Sequence, residues 1–253
     1  SNKNFTVENI IPMPKELTVN DDKLYSINNI HILKTSDNLI YPQNKDEYYL
    51  KSEKGDVVIE GNEIWARQTL AQLKDEKGRI PDVEIHDWSA YPFRGFMHDT
   101  GRNFQTIEML KETIDLMSLY KINYFHWHLT DNPAWRIECK VYPQLNDSQY
   151  QRQGRDCGKF YTYDEIRELI AYAKERGITV MPEIDMPGHS AYFRNAFGFS
   201  MDSEEGMKVL EECIAEFCEE IPTSMCPYLH IGSDEVYIAD PKGFMKFTEN
   251  LCK

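Results

Sequence analysis

FRGFMHDTGRNFQTIEMLKETIDLMSLYKINYFHWHLTD, residues 93–131, is the stretch that decides the fold. Two short apolar runs, 93–99 and 123–131, bracket a segment in which Ile107, Leu110, Ile114 and Met117 recur at three- and four-residue steps. Such steps lay one apolar stripe along a helix, so the segment reads as strand, helix, strand. Short apolar strands alternating with amphipathic helices are the signature of a parallel α/β sheet.

The alternation continues downstream. Thr162-x-x-Glu165 forms a capping box for a helix that turns Ile166, Leu169, Ile170 and Ala173 inward, and Gly177 closes it. ITVMPEID, residues 178–185, is the third expected strand; a helix carrying Met207, Leu210, Ile214, Phe217 and Ile221 comes next; YLHIGSDEV, residues 228–236, is the fourth. Each strand finishes on acid: Asp99, then Asp131, then Glu183 with Asp185, then Asp234 with Glu235. The C-terminal ends of parallel strands open on one face, so these carboxylates are expected to converge on one site.

Upstream, the pattern is that of a small α+β unit. YYLKSEKGDVVIEG, residues 48–61, reads as a hairpin turning at Ser52 to Gly55, and EIWARQTLAQLKDE as a helix with Trp65, Thr69, Leu70 and Leu73 on one face. Gly78, Pro81 and Pro92 punctuate the chain after this helix. The boundary is expected near Ser89 to Pro92, giving domains 1–91 and 92–253.

Composition narrows the function. With 41% hydrophobic residues in 253 the chain can bury a core, and 28 Lys+Arg against 42 Asp+Glu give a formal charge of -14. That charge repels phosphate backbones and anionic headgroups, so neither nucleic acid nor a membrane surface is an expected partner. No run approaches the length of a membrane span, and SNKNFTVENI has no signal-like apolar core. Ser1-Asn2 reads as the remnant of a removed signal or tag. Six cysteines are scattered without CxxC spacing, and read as isolated thiols in or near the core.

Asp234 and Glu235 carry the most pointed chemistry. Two adjacent carboxyls at a strand end repel, which favours keeping a proton on one of them. A protonated carboxyl can donate to a leaving oxygen while its ionised neighbour steadies developing positive charge, the minimal equipment for cleaving a glycosidic bond.

The surrounding residues resemble one family. His230-Ile231-Gly232-Ser233-Asp234-Glu235 is similar to the His-x-Gly-Gly/Ala-Asp-Glu signature of glycoside hydrolase family 20, the β-N-acetylhexosaminidases. Ile11-Pro12-Met13-Pro14, Arg94-Gly95-Phe96-Met97-His98-Asp99 with Arg102, Phe125-His126-Trp127-His128-Leu129-Thr130-Asp131, and Pro182-Glu183-Ile184-Asp185-Met186-Pro187-Gly188-His189 match the family in order. The resemblance implies a small N-terminal α+β domain followed by a (β/α)8 TIM-type barrel, of which about the first four β/α units are present. It also implies hydrolysis of terminal β-linked GlcNAc or GalNAc from glycans or glycoconjugates, with the substrate's own acetamido oxygen as nucleophile and an oxazolinium intermediate. On this resemblance Glu235 is the general acid and then base, and Asp234 orients the acetamido nitrogen. Arg94 grips the 3- and 4-hydroxyls, and Asp131 and His189 line the sugar site. No cofactor or metal is implied, and an extracytoplasmic location is favoured. Asn132-Pro133-Ala134 departs from the family where Asp-Gln-Gly or Asp-Pro-Ser is usual, and His98 stands where an apolar residue is usual.

Two other readings use the same residues. His126 and His128 are two apart on a strand and so share a face; with His189, His230 and Asp234 they could build the metal sphere of an amidohydrolase-type barrel, although that HxH motif belongs on a first strand. A non-catalytic module that binds amino sugars is the other. Residues 94–253 number 160 and hold four of the eight β/α units of a full barrel, which takes about 250 residues, so the isolated chain is expected to be an incomplete enzyme. Either it is part of a longer protein or two copies pair as a homodimer across the exposed strand edges.

Overall fold

At the tip of the first hairpin, Lys54 and Gly55 both take left-handed backbone angles (φ 48° and 88°), which a two-residue loop needs in order to match the twist of its strands. A Cβ on Gly55 would lie 2.1 Å from the Ser26 carbonyl oxygen, so the turn demands glycine for space as well. The structure, a computed structural model, describes residues 7–33 and 45–253; Ser1-Asn2 lies outside the described residues. The chain divides into two compact units, 1–94 with 115–123, and 95–114 with 124–253.

In the first unit the strands are β1 (Glu16–Ser26), β2 (Asn29–Leu33), β3 (Tyr48–Glu53), β4 (Asp56–Gly61) and β5 (Arg79–Asp87), with helix α1 (Glu63–Leu73) between β4 and β5. They form one sheet in the order β1-β5-β3-β4-β2, antiparallel except for the β2–β4 pair. The Asn62 side chain caps α1 by accepting from the Trp65 N–H at 2.9 Å. Trp65, Ala66, Thr69, Leu70 and Leu73 are buried, and the apolar members among them join Tyr48, Leu50, Val57, Ile59, Ile80, Val83 and Ile85 in one core.

β5 corrects the sequence reading, in which Gly78 and Pro81 are punctuation. Arg79–Asp87 is instead a central strand, and Pro81 fits because β3 pairs with β5 only from Glu84 onward. Beside the proline, the Ser52 hydroxyl donates to the Pro81 carbonyl (2.7 Å) and accepts the Val83 N–H (2.9 Å), replacing ladder bonds that β3 does not supply.

The second unit contains β6 (Gly95–Asp99), β7 (Tyr124–His128), a short β8 (Thr130–Asp131) to β9 (Ala134–Trp135) hairpin, α3 (Tyr163–Glu175), β10 (Thr179–Glu183), α4 (Ala191–Phe197), α5 (Glu204–Glu220) and α6 (Pro241–Leu251). Helix α2 (Ile107–Leu119) joins β6 to β7, and Ile107, Leu110, Ile114 and Met117 are buried along its stripe. The capping box of α3 is present, and β10, β7 and β6 form a parallel sheet in that order. Its register places Asp99, His128 and Glu183 side by side at the C-terminal edge. That row is the floor of the site.

The fourth expected strand is reduced to a bridge. His230 pairs with Glu183, with His230 N–H on the Pro182 carbonyl (2.8 Å) and Ile184 N–H on the His230 carbonyl (2.9 Å). Beyond it Gly232, Ser233 and Glu235 take positive φ angles of 64°, 82° and 46°, which break the extended run. Among the described residues, no helix is long and apolar enough to cross a membrane.

Candidate active site

The floor is assembled around His128. Its Nδ1 meets a Glu183 carboxylate oxygen and its Nε2 lies 2.7 Å from Asp131 Oδ2, with Asp99 Oδ1 4.0 Å away. Burial alone would lower the imidazole, but hydrogen bonds to Asp131 and Glu183 and the charges of Glu183 and Asp99 outweigh it, pushing His128 up to about 10. The ring is therefore an imidazolium at neutral pH, donating from both nitrogens. Burial opposes ionisation of Glu183, yet bonds from His126 (2.7 Å) and His128 hold it down at about 2. Asp131 is also lowered: burial works against it and loses to the His128 bond, the Asn132 N–H and the charge of Arg102. His126 and His128 do share a face, and both spend a nitrogen on Glu183.

Above the floor, Asp185 is fully buried and accepts the Ser233 N–H on Oδ1 at 3.0 Å, while the Ser233 hydroxyl donates to the Met186 carbonyl at 2.7 Å. These two bonds fix the loop that presents the acid pair. A Cβ on Gly232 would fall 2.1 Å from Asp185 Oδ1, so only glycine lets the loop close on that carboxyl. Burial first, then the hydrogen bond and charge of Asp234 and the charge of Glu183, push Asp185 up to about 6 against the Ser233 N–H.

The structure gathers most of the expected site residues. His189 stands between two carboxylates, with Nδ1 3.5 Å from Asp131 Oδ1 and Nε2 3.5 Å from Asp234 Oδ2. Neither ring nitrogen makes a hydrogen bond among the described residues. Asp234 and its neighbour Glu235 are exposed on the loop.

Arg94 is not brought to this group. It immediately precedes β6, so Asp99 at the far end of that strand is about 16 Å further along the chain. Its guanidinium is spent on Asp46 (2.8 Å), the Tyr91 carbonyl (2.7 Å) and the Lys121 carbonyl (2.7 Å). The arginine that does reach the floor is Arg102, half exposed, with Nε 3.5 Å from Asp131 Oδ1 and Nη1 3.4 Å from Asp99 Oδ2. The motif match includes Arg102 but assigns it no role. A positional signal was available: Arg102 follows its strand, where α/β chemistry sits, and Arg94 precedes it.

Among the described residues, four groups of three donors have ligand atoms within 4.8 Å of one another: His126, Glu183 and His230; Asp99, His128 and Asp131; His128, Glu183 and Asp185; Asp185, His189 and Asp234. The amidohydrolase sphere requires His126, His128, His189, His230 and Asp234 together, and the structure distributes them over separate groups. In the first group His230 Nδ1 already accepts the Gly232 N–H (2.9 Å) and His126 is bonded to Glu183, so a metal would have to displace existing bonds.

Carboxylates, a histidine and an arginine gathered at the C-terminal ends of parallel strands define an α/β enzyme-type site, open to solvent at its acid pair. Comparison with known proteins sharpens the class. Residues 91–198 match the catalytic domain of glycosyl hydrolase family 20. A β-hexosaminidase of Porphyromonas gingivalis is 36% identical over 229 residues, 77% of this chain and 30% of that protein. Another from Vibrio furnissii is 37% identical over 209 residues, 68% of this chain and 34% of that protein. Among solved structures, a β-N-acetylhexosaminidase of Bacteroides fragilis aligns with a TM-score of 0.76 at 27% identity, over 96% of this chain and 60% of that one. An exo β-N-acetylglucosaminidase of Vibrio harveyi, solved with N-acetylglucosamine, aligns with a TM-score of 0.77 at 26% identity, over 98% and 50%. The chain belongs to glycoside hydrolase family 20 and covers part of its TIM-barrel fold. It spans about a third of the length of these curated relatives.

Proposed function

We propose that this site hydrolyses terminal β-linked N-acetylhexosamine from glycans or glycoconjugates, with retention and with the substrate's acetamido oxygen as nucleophile. Domains 1–91 and 92–253 are then the family's N-terminal domain and the first half of its barrel. The observation that carries the reading is the placement of Asp234: it is held at the rim by the Ser233 bonds, beside His189 and the buried Asp185.

Glu235 protonates the leaving oxygen as the acetamido oxygen attacks the anomeric carbon, and then takes a proton from the water that opens the oxazolinium ring. Asp234 accepts from the acetamido N–H and balances the charge that grows there. Arg102 takes the role expected of Arg94. Its half-exposed guanidinium is a fork suited to two neighbouring hydroxyls, and Asp131, kept ionised by His128, is an acceptor beside it.

The test is selectivity. In a preparation of this sequence that turns over an aryl β-N-acetylglucosaminide, the matching β-glucoside should be processed at least about 100-fold more slowly, and a thiazoline mimic of the cyclised intermediate should inhibit far below the GlcNAc concentration needed. Equal processing of the two glycosides would remove the acetamido group from the mechanism.

A further inference from the structure

Cys139 and Cys213, 74 positions apart in sequence, lie with their sulfurs 3.8 Å from each other in the interior of the second unit. They are 4% and 2% exposed, so the two thiols are neighbours and not the isolated groups that their spacing suggested. The segment around Cys139 is laced to α5 on either side of the contact. Glu216 accepts the Lys140 N–H (3.0 Å) and the Val141 N–H (2.9 Å), Lys140 pairs with Glu220 at 2.7 Å, and the Tyr142 hydroxyl donates to Glu212. Glu212, Glu216 and Glu220 are spaced four apart on one face of α5, so they hold the partner segment in a single register opposite Cys213. The remaining cysteines are placed differently. Cys226 directs its S–H at the Val180 carbonyl (3.3 Å), Cys157 sits beside Gln153, and Cys218 and Cys252 are exposed.

We propose that Cys139 and Cys213 are a disulfide-forming pair, closed by thiol–disulfide exchange with an external disulfide of the glutathione or protein class. From 3.8 Å, bond formation requires an approach of about 1.8 Å, to an S–S length near 2.05 Å. The pair is also polarised. The two sulfurs share a hydrogen bond in which either can donate; that bond, with the Tyr142 and Val141 N–H groups, lowers the Cys139 thiol against burial, while the bond and burial push Cys213 up. Cys139 is therefore the attacking thiolate. It displaces one sulfur of the external disulfide to form a mixed disulfide; Cys213 loses its proton, attacks Cys139 Sγ and expels the second thiolate. Two protons leave the protein, and the external disulfide is reduced to two thiols. Because both sulfurs are covered in the finished fold, the step belongs to folding or to local opening of the 138–142 segment.

The experiment is to unfold the chain reduced, refold it in oxidised glutathione, and map its peptides without reduction. A Cys139–Cys213 cross-link should appear, and the oxidised chain should melt roughly 5–15 °C above its reduced form. In Cys139→Ala and Cys213→Ala the cross-link and the redox-dependent melting shift should both vanish. Should either variant fail to fold, the triple change Cys157→Ser, Cys218→Ser, Cys252→Ser leaves the pair intact and must still give the cross-link and the shift. Recovery of Cys139 and Cys213 as separately alkylated thiols after oxidative refolding, or a cross-link that prefers other cysteines, would overturn the proposal.

Discussion

The site has a buried floor and an exposed rim, and the two differ in what completes them. On the floor every charge has a partner within the chain: His128 between Glu183 and Asp131, Glu183 between His126 and His128. On the rim, Asp234, Glu235 and Arg102 are exposed and hold less of their bonding capacity within the chain. A buried charge must be matched inside the fold, whereas an exposed one can wait for a substrate. The floor should therefore report mainly on stability and the rim mainly on turnover.

The largest effect expected from that contrast is at Glu183. Glu183→Ala leaves His128 and His126 without their shared carboxylate in the interior, and breaking a buried pair in this way costs about 3–5 kcal/mol. Urea unfolding should show a fall of that order; a change under about 1 kcal/mol would mean that the floor is wet and the partition wrong.

Next come the two arginines. Arg102→Ala should lower kcat/KM about 10–100-fold through lost hydroxyl contacts, with stability changed by less than about 0.5 kcal/mol. Arg94→Ala should do the reverse, since its guanidinium is bonded to Asp46 and two backbone carbonyls and lies over the Trp65 ring. Steady-state kinetics beside a melting curve separate them. A fall in kcat/KM for Arg94→Ala with none for Arg102→Ala would restore the assignment made from sequence.

The last test is the pH dependence of the floor. His128 is raised to about 10 from 6.5, so its contribution is complete below about pH 6.5 and is lost as pH rises through about 10. Glu183 is depressed to about 2 from 4.5, so its contribution is present above about pH 4.5 and disappears as pH falls through about 2. Asp185, raised to about 6 from 3.8, favours the fold while protonated and ceases to do so as pH rises past about 6. Urea titrations from pH 5 to 10 should show a decline that His128→Gln abolishes above about pH 6.5. A parallel decline in the variant would assign it to other groups.

Much of the fold and site is legible in the sequence. Ile107, Leu110, Ile114 and Met117 announce α2 because apolar period is a local property, and the Thr162–Glu165 box announces α3 for the same reason. Asp99, Asp131, Glu183, Asp185 and Asp234 converge as the strand ends suggest, because parallel strands share a polarity. β5 is hidden, since Pro81 is tolerated where β3 does not pair with it and where Ser52, 29 residues away, bonds the backbone instead. The reduced fourth strand is hidden too, because the positive φ angles at Ser233 and Glu235 come from how the loop closes on Asp185. Arg94 and Arg102 share one motif but flank β6 at opposite ends, and the chemistry of an α/β fold sits at the C-terminal end. The Cys139–Cys213 contact pairs elements with no periodic relation to each other.

The central claim is that Glu235 is the proton donor at the rim, and leaving-group dependence tests it most directly. In a form of this sequence that turns over both substrates, Glu235→Gln should cut turnover of an unactivated β-N-acetylglucosaminide by about 10²–10⁴-fold. It should spare a dinitrophenyl glycoside, whose leaving group departs without a proton, and leave the melting temperature essentially unchanged. Equal losses on both substrates, or none on either, would contradict the assignment of the acid.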